Sequence, residues 1–227
     1  MRQELLDYIY SKDRFQKKKL TTLLKNKRIE QDLDQFLLKY SHFMEKEKIS
    51  FKELGNSYLQ MVNDMLTSRL DFNRNGVYSR KNQADAINEV YNRPEVMTRY
   101  MLGLALSQFL WIQHYSLFSF YKSMLTHLEL SKKKTFLEVG SGHGLFLLEL
   151  LNIISDEVIV DVVDISETSL SISKKIVTEL KPEKVTYLNF INSDINKFRK
   201  NFLYDFITIG EVIEHVEEPK KILISIS

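Results

Sequence analysis

The chain has 227 residues, 44% hydrophobic and 27% charged, with 14 Phe, 11 Tyr and one Trp. That composition is globular and too aromatic for disorder. It holds no cysteine, which excludes disulfides, thiolate metal sites and a cysteine nucleophile; its net charge of +2 gives no general attraction for nucleic acid or acidic lipid.

The most apolar stretch, Val96 to Leu125, is broken by Arg99, Gln108, Gln113, His114 and Lys122, short of the roughly 18 apolar residues that span a bilayer. The start, M-R-Q-E-L-L-D, carries acids and no apolar centre, unlike a secretory signal. A soluble cytoplasmic protein is expected.

Residues 1–28 hold nine Lys or Arg against three acids. They read as the solvated face of an amphipathic helix, or as a patch for an acidic partner. Ile29–Glu47 places Leu33, Phe36, Leu37, Tyr40 and Met44 at helical spacing, and Ser50–Leu70 continues with Leu54, Tyr58, Met61, Met65 and Leu66. Asn73 to Gly76 predicts a turn, and Gln83–Tyr91 a short helix ending before Pro94. Glu95–Leu128 predicts one long buried helix, or two joined near Gln113.

After about residue 134, β-branched runs and glycines alternate with helical segments. Strands are expected at Thr135–Val139, Val158–Val163, Val185–Phe190 and Phe206–Ile209. Helices are expected over Gly144–Ile153 and Glu167–Leu180, with another starting after Gly210. This alternation implies a parallel sheet. The fold class is therefore α/β, a Rossmann-like parallel sheet over residues 131–227, preceded by an all-helical domain over 1–130.

Residues 136–144 read F-L-E-V-G-S-G-H-G. A strand runs into three glycines at alternate positions, then a helix begins. Absent Cβ atoms let a ligand approach the backbone, and free N–H groups at a helix start favour an anionic group. The dinucleotide pattern G-x-G-x-x-G needs a third glycine where Leu145 stands, so a nicotinamide or flavin match fails.

Asp164 ends the second strand in V-V-D-I-S. It either accepts from both hydroxyls of a ribose or, with Ser166, caps the next helix. Asp161 is read as a strand-start residue. Asp194, in N-S-D-I, either accepts from an adenine amino group or caps a helix, and Ile195 offers a backbone contact. In I-G-E-V-I-E-H-V, Glu211, Glu214 and His215 would share one face of a helix start. They suit a divalent cation, a general base at His215, or an exposed first turn favoured by the helix dipole.

These elements, in this order, resemble class I S-adenosylmethionine-dependent methyltransferases over about residues 134–220. The resemblance implies S-adenosyl-L-methionine as cofactor. Glu138, Gly140, Ser141, Gly142 and Gly144 would hold its methionine part, Asp164 with Ile165 its ribose, and Asp194 with Ile195 its adenine. Gly210 and Glu211 would face the methyl donor, with Glu211 and His215 as the catalytic candidates. The donor is already activated, so an in-line displacement needs mainly alignment of an acceptor. The segment E-V-I-E-H-V is similar to one in ubiquinone-pathway O-methyltransferases and to the metal-binding E-x-x-E-H of small-RNA 2′-O-methyltransferases. No further histidine follows to complete a metal site, so no metal is expected, with Glu211, Glu214 and His215 the only candidates.

Sheets of this class usually run 3-2-1-4-5-7-6. The 17 residues after Gly210 suffice for one helix, so an incomplete core is expected, with strand four as an open edge that favours a homodimer or completion by another chain. Three functions follow. The first is methyl transfer to a small-molecule acceptor, with Tyr100, Gln108, Trp111, His114 and Tyr115 either contacting the acceptor or simply packing a core. The second is an RNA methyltransferase using the Glu211, Glu214, His215 face. The third is a non-catalytic partner subunit.

Overall fold

A computed structural model describes residues 1–76, 93–156, 158–213, 216 and 218–226. The short helix expected over Gln83–Tyr91 lies outside the described residues. The chain divides into two compact units, one holding residues 1–76 and 99–121, the other 93–98 and 122–226.

The first unit is helical. Helices α1 (Arg2–Lys12), α2 (Arg14–Leu23), α3 (Lys27–Lys46) and α4 (Phe51–Asn75) are followed by α5 (Pro94–Leu110), and α6 (Ile112–His127) begins in it. Asp13 breaks the basic N-terminal segment into two helices. Its carboxylate accepts from Phe15 N and Gln16 N and so caps α2. The lysines and arginines from Lys12 to Arg28 are exposed, as a solvated face requires. Ser50 and Glu53 form a reciprocal capping box at the start of α4.

The expected turn at Asn73 is the last turn of α4 instead. The helix runs on to Asn75 and stops where Gly76 takes φ +70°. The long apolar stretch from Glu95 is two helices, parted at Trp111. Leu5, Ile9, Leu33, Leu37, Leu54 and Tyr58 are buried, each apolar side chain worth about 1.5–3 kcal/mol. A Cβ on Gly103 would lie 2.7 Å from the Ser57 carbonyl oxygen, so α5 and α4 touch backbone to backbone there.

The second unit is a four-stranded parallel sheet in the order β3-β2-β1-β4. Its strands are β1 (Thr135–Val139), β2 (Ile159–Asp164), β3 (Leu188–Asn192) and β4 (Phe206–Ile209), with helices α7 (Leu145–Leu151), α8 (Glu167–Leu180) and α9 (Pro219–Ile226). β1 and β2 are mostly Val, Leu, Ile and Phe because both faces of an inner parallel strand are covered, and the acids Glu138 and Asp161 interrupt them while buried. On one face Leu137, Val139 and Val163 pack with Ile195 and Ile222.

β3 starts at Leu188 rather than Val185. Pro182 opens a 3₁₀ segment over Pro182–Tyr187, and Lys184 within it is buried, donating to the Ile154 carbonyl at 3.1 Å and to Asp156 at 2.7 Å. These bonds hold the segment out of the sheet. Asp161 is not a strand-start residue. It is the third residue of β2, fully buried, and accepts from Asn189 Nδ2 at 2.8 Å and Tyr204 OH at 2.5 Å, with Lys200 Nζ 3.2 Å away. Among the described residues, no helix is long and apolar enough to cross a membrane.

Candidate functional site

The strand register brings the carboxyl ends of three strands level: Val139 pairs with Val163 on β2 and with Ile209 on β4. Gly140, Asp164 and Gly210 therefore leave the sheet side by side. This is the end of a parallel sheet where ligands bind, beside the strand at which the connections change direction.

The glycine loop is built for left-handed backbone. Gly140, Gly142 and Gly144 have φ of +75°, +47° and +74°, which residues with a Cβ adopt only at a cost. Gly140 N–H donates to the Val163 carbonyl at 2.8 Å, extending the sheet by one bond. A Cβ on Gly140 would fall 2.2 Å from Cγ2 of Val212, and one on Gly144 3.3 Å from Cα of Ser173. The loop is thus clasped by the segment after β4 and by α8.

Several loop amides already have partners inside the protein. Gly142 N–H donates to Asp164 Oδ2 at 3.3 Å, Gly144 N–H to the Ser141 carbonyl at 2.8 Å, and Leu145 N–H to His143 Nδ1 at 3.2 Å. The amides expected to be free for an anion are therefore engaged in part. His143 and Ser173, whose hydroxyl donates to the Gly142 carbonyl at 3.2 Å, were not singled out from the sequence. His143 lies within the glycine motif and acts on its neighbour Leu145, whereas Ser173 reaches the loop from α8, 31 residues away in sequence.

Asp164 joins the glycine loop to the turn that leads into α8. It ties down the loop through Gly142 and Ser141 Oγ (3.5 Å), and its other oxygen accepts from Ser166 N–H at 2.8 Å. Ser166 is the residue that caps α8, accepting from Ser169 N–H. Burial raises the Asp164 carboxyl above the ordinary range, opposed by the amides of Ser166 and Gly142. The Ser141 amide acts on the same carboxylate in the same direction, so loop and turn together surround it with donors. Asn192 Nδ2 donates to the carbonyls of Asp164 and Ile165 at 3.1 and 3.0 Å, holding the turn that carries both residues.

Glu138 is the most constrained acid. It is 1% exposed, and among the described residues its Oε2 has no hydrogen-bond partner. Burial pushes its carboxyl up to about 8; the Thr208 hydroxyl opposes the shift and the Asp164 charge adds to it. Thr208 is its register partner on β4, yet that hydroxyl makes no hydrogen bond of ordinary geometry.

The remaining expectations fare differently. Asp194 opens a turn rather than a helix, accepting from Asn196 N–H and Nδ2 at 2.9 and 3.1 Å. Ile195 sends its side chain into the core with Leu137 and Val163. Glu211 is exposed, at φ +56°, and is not on a helix. The helix expected directly after Gly210 starts at Pro219, a residue suited to a first turn and not to a helix interior. Glu214 and His215 lie outside the described residues. In the helical unit, Trp111 and His114 meet with ring centroids 4.9 Å apart, and His114 Nδ1 is 2.7 Å from Ser107 Oγ. Gln108 is buried with Oε1 unpartnered. Tyr115 turns elsewhere and donates to Asp32 at 2.6 Å.

A family model described as a methyltransferase domain matches residues 137–227. No curated protein matches the sequence. Solved structures that resemble the chain include the N-methyltransferase NodS from Bradyrhizobium japonicum WM9, in complex with S-adenosyl-L-homocysteine. It is 19% identical over 47% of this chain and 52% of its own, with a TM-score of 0.37. Another is the mitomycin 7-O-methyltransferase MmcR, 10% identical over 78% of this chain and 47% of its own, with a TM-score of 0.48. The chain thus spans about half the length of each. The match begins on β1 and runs through the glycine loop, the acid ending β2 and the strand order 3-2-1-4. Residues 137–227, less than half of the chain, are thus similar to a methyltransferase domain.

Proposed function

We propose that this chain binds S-adenosyl-L-methionine at the carboxyl end of its sheet and transfers the methyl group to a small-molecule acceptor by in-line displacement. The observation that carries the cofactor site is the glycine loop. Its Gly140 has no space for a Cβ, and beside it stands a buried carboxyl with an oxygen still lacking a donor. Those features fit the zwitterionic amino-acid end of the cofactor. Glu138 and the Gly140–Gly144 backbone would hold that end, Asp164 with Ile165 the ribose, and Asp194 with Ile195 the adenine. When bound, the cofactor supplies a methyl group on a positively charged sulfur, already activated for transfer.

The chain's own part is to position and to manage a proton. Glu211, next to Gly210, and His215 are assigned to the acceptor's proton. The helical domain, residues 1–130, is assigned to acceptor binding, with Tyr100, Gln108, Trp111 and His114 as its contacts. His114 suits a neutral role, because burial lowers its pKa and Lys19 lowers it further. Self-association and a cytoplasmic setting are part of the same reading.

Calorimetric titration of the full chain with S-adenosylmethionine tests the cofactor site. Saturable binding, weakened about tenfold or more by Asp164→Ala through loss of a charged hydrogen-bond acceptor, is expected. No binding at millimolar ligand would overturn the proposal.

A further inference from the structure

We infer that Glu138 meets the cofactor as a neutral carboxylic acid and loses its proton when the ligand's ammonium group arrives, so that cofactor binding is coupled to proton release. The inference rests on the cofactor reading above and concerns the regulation of that same site by pH.

The geometry sets the problem that the proton solves. Glu138 is on an inner strand, 1% exposed, with Oε2 shut away from solvent and from every donor among the described residues. Its register partners are Val162 on β2 and Thr208 on β4. Val162 has nothing to donate, and the Thr208 hydroxyl is itself buried without a hydrogen bond. The titratable group acting on it from β2 is Asp164, which bears the wrong sign. β4 offers only that hydroxyl. The loop's titratable residue, His143, has its Nδ1 engaged by Leu145 N–H.

An ionised carboxylate with a bare oxygen in this position, near a second acid, is strongly disfavoured. The neutral form avoids that cost, consistent with a carboxyl that burial holds near 8.

An ammonium group reverses the balance. It brings a positive charge and three N–H donors, which supply the partner that Oε2 lacks. The carboxyl O–H then gives its proton to solvent while the ligand keeps all three of its own. One positive charge enters the buried site as one leaves, so the site's net charge is unchanged. Below the α-amino pKa of roughly 7.7–8.0 the ligand carries its charge, and each rise in pH favours the complex.

The test is calorimetric titration of the full chain with S-adenosylhomocysteine at pH 6.5, in two buffers of different protonation enthalpy. About one proton released per ligand bound is expected, with affinity rising up to about tenfold per pH unit between pH 5 and 7. 5′-Methylthioadenosine, which lacks the amino-acid end, is expected to release none. Glu138→Gln should abolish the release and Asp164→Asn should retain it. Binding of S-adenosylhomocysteine without proton release would overturn the inference, as would a release that survives Glu138→Gln. Should that variant bind too weakly to titrate, equal release by the two ligands in the unaltered protein would overturn it. If neither S-adenosylmethionine nor S-adenosylhomocysteine binds at all, the cofactor reading itself falls.

Discussion

Replacing Gly140 by alanine separates two costs that the structure makes distinct. The first is backbone: at φ +75° a residue with a Cβ loses roughly 1–2 kcal/mol relative to glycine. The second is steric, since the new Cβ would lie 2.2 Å from Val212 Cγ2 but 3.7 Å from Val212 Cβ. Val212 packs against the sheet's core cluster, so moving it costs the roughly 1–3 kcal/mol typical of overpacking. Gly140→Ala should therefore cost about 2–5 kcal/mol. Val212→Ala removes the clashing methyl while leaving the backbone strain. The double variant should recover the steric part, giving a coupling of about 1–3 kcal/mol in a double-mutant cycle. Because the chain divides into two compact units, the measurement is amide exchange along β1 rather than a single melting curve. A loss of about 2 kcal/mol accelerates exchange roughly thirtyfold. Zero coupling between the two positions would refute the contact. Unchanged β1 protection in Gly140→Ala would refute both the contact and the strained turn.

Three further substitutions probe buried polar groups. Glu138→Gln should leave stability nearly unchanged at pH 4.5 and raise it by a few kcal/mol at pH 8, read as the denaturant midpoint at each pH. Burial holds the folded carboxyl at about 8, against an ordinary 4.5, so the native state retains a proton that the unfolded chain has lost; stability conferred by that proton is present below about 4.5 and is lost as pH climbs to 8. Tyr40→Phe should stabilise the helical unit by about 1 kcal/mol, because the Tyr40 hydroxyl is buried without a partner among Phe36 and Phe43; thermal unfolding with a lower midpoint would contradict it. Asp161→Ala should cost about 3 kcal/mol or more, since Lys200 and the Tyr204 hydroxyl lose their buried acceptor, and amide exchange along β2 and β3 measures the loss.

Elements whose signal is local were readable from the sequence. β1 at Thr135–Val139, β4 at Phe206–Ile209 and α8 at Glu167–Leu180 have the expected bounds, because each pairs an unbroken apolar pattern with turn residues at its ends. What depended on distant partners was not readable. Val185 suits a strand, yet Pro182 and the buried Lys184, held by Ile154 and Asp156, keep it in a 3₁₀ turn. Asp161 looks like any acid beside a strand until Asn189, Lys200 and Tyr204 converge on it. Glu211 and the two positions spaced from it at helical intervals suggested a helix start. Proline at position 219 instead sets the first turn of α9, and Glu211 takes a left-handed conformation.

The same division explains how the glycine loop is held. Three glycines permit its backbone, a local property visible in the letters. They do not select it, because a glycine-rich loop is free to adopt many shapes and loses that freedom on folding. Selection comes from four places remote in sequence: the Val163 carbonyl on Gly140 N–H, the Asp164 carboxylate on Gly142 N–H, the Val212 methyl against Gly140, and the Ser173 hydroxyl on the Gly142 carbonyl. Strand β2, helix α8 and the segment after β4 thereby close on one bend before any ligand arrives. Ordering that bend in advance lowers the entropy lost on binding, and it leaves Glu138, behind the bend with its oxygen unpartnered, as the group whose state must change when a charged ligand enters.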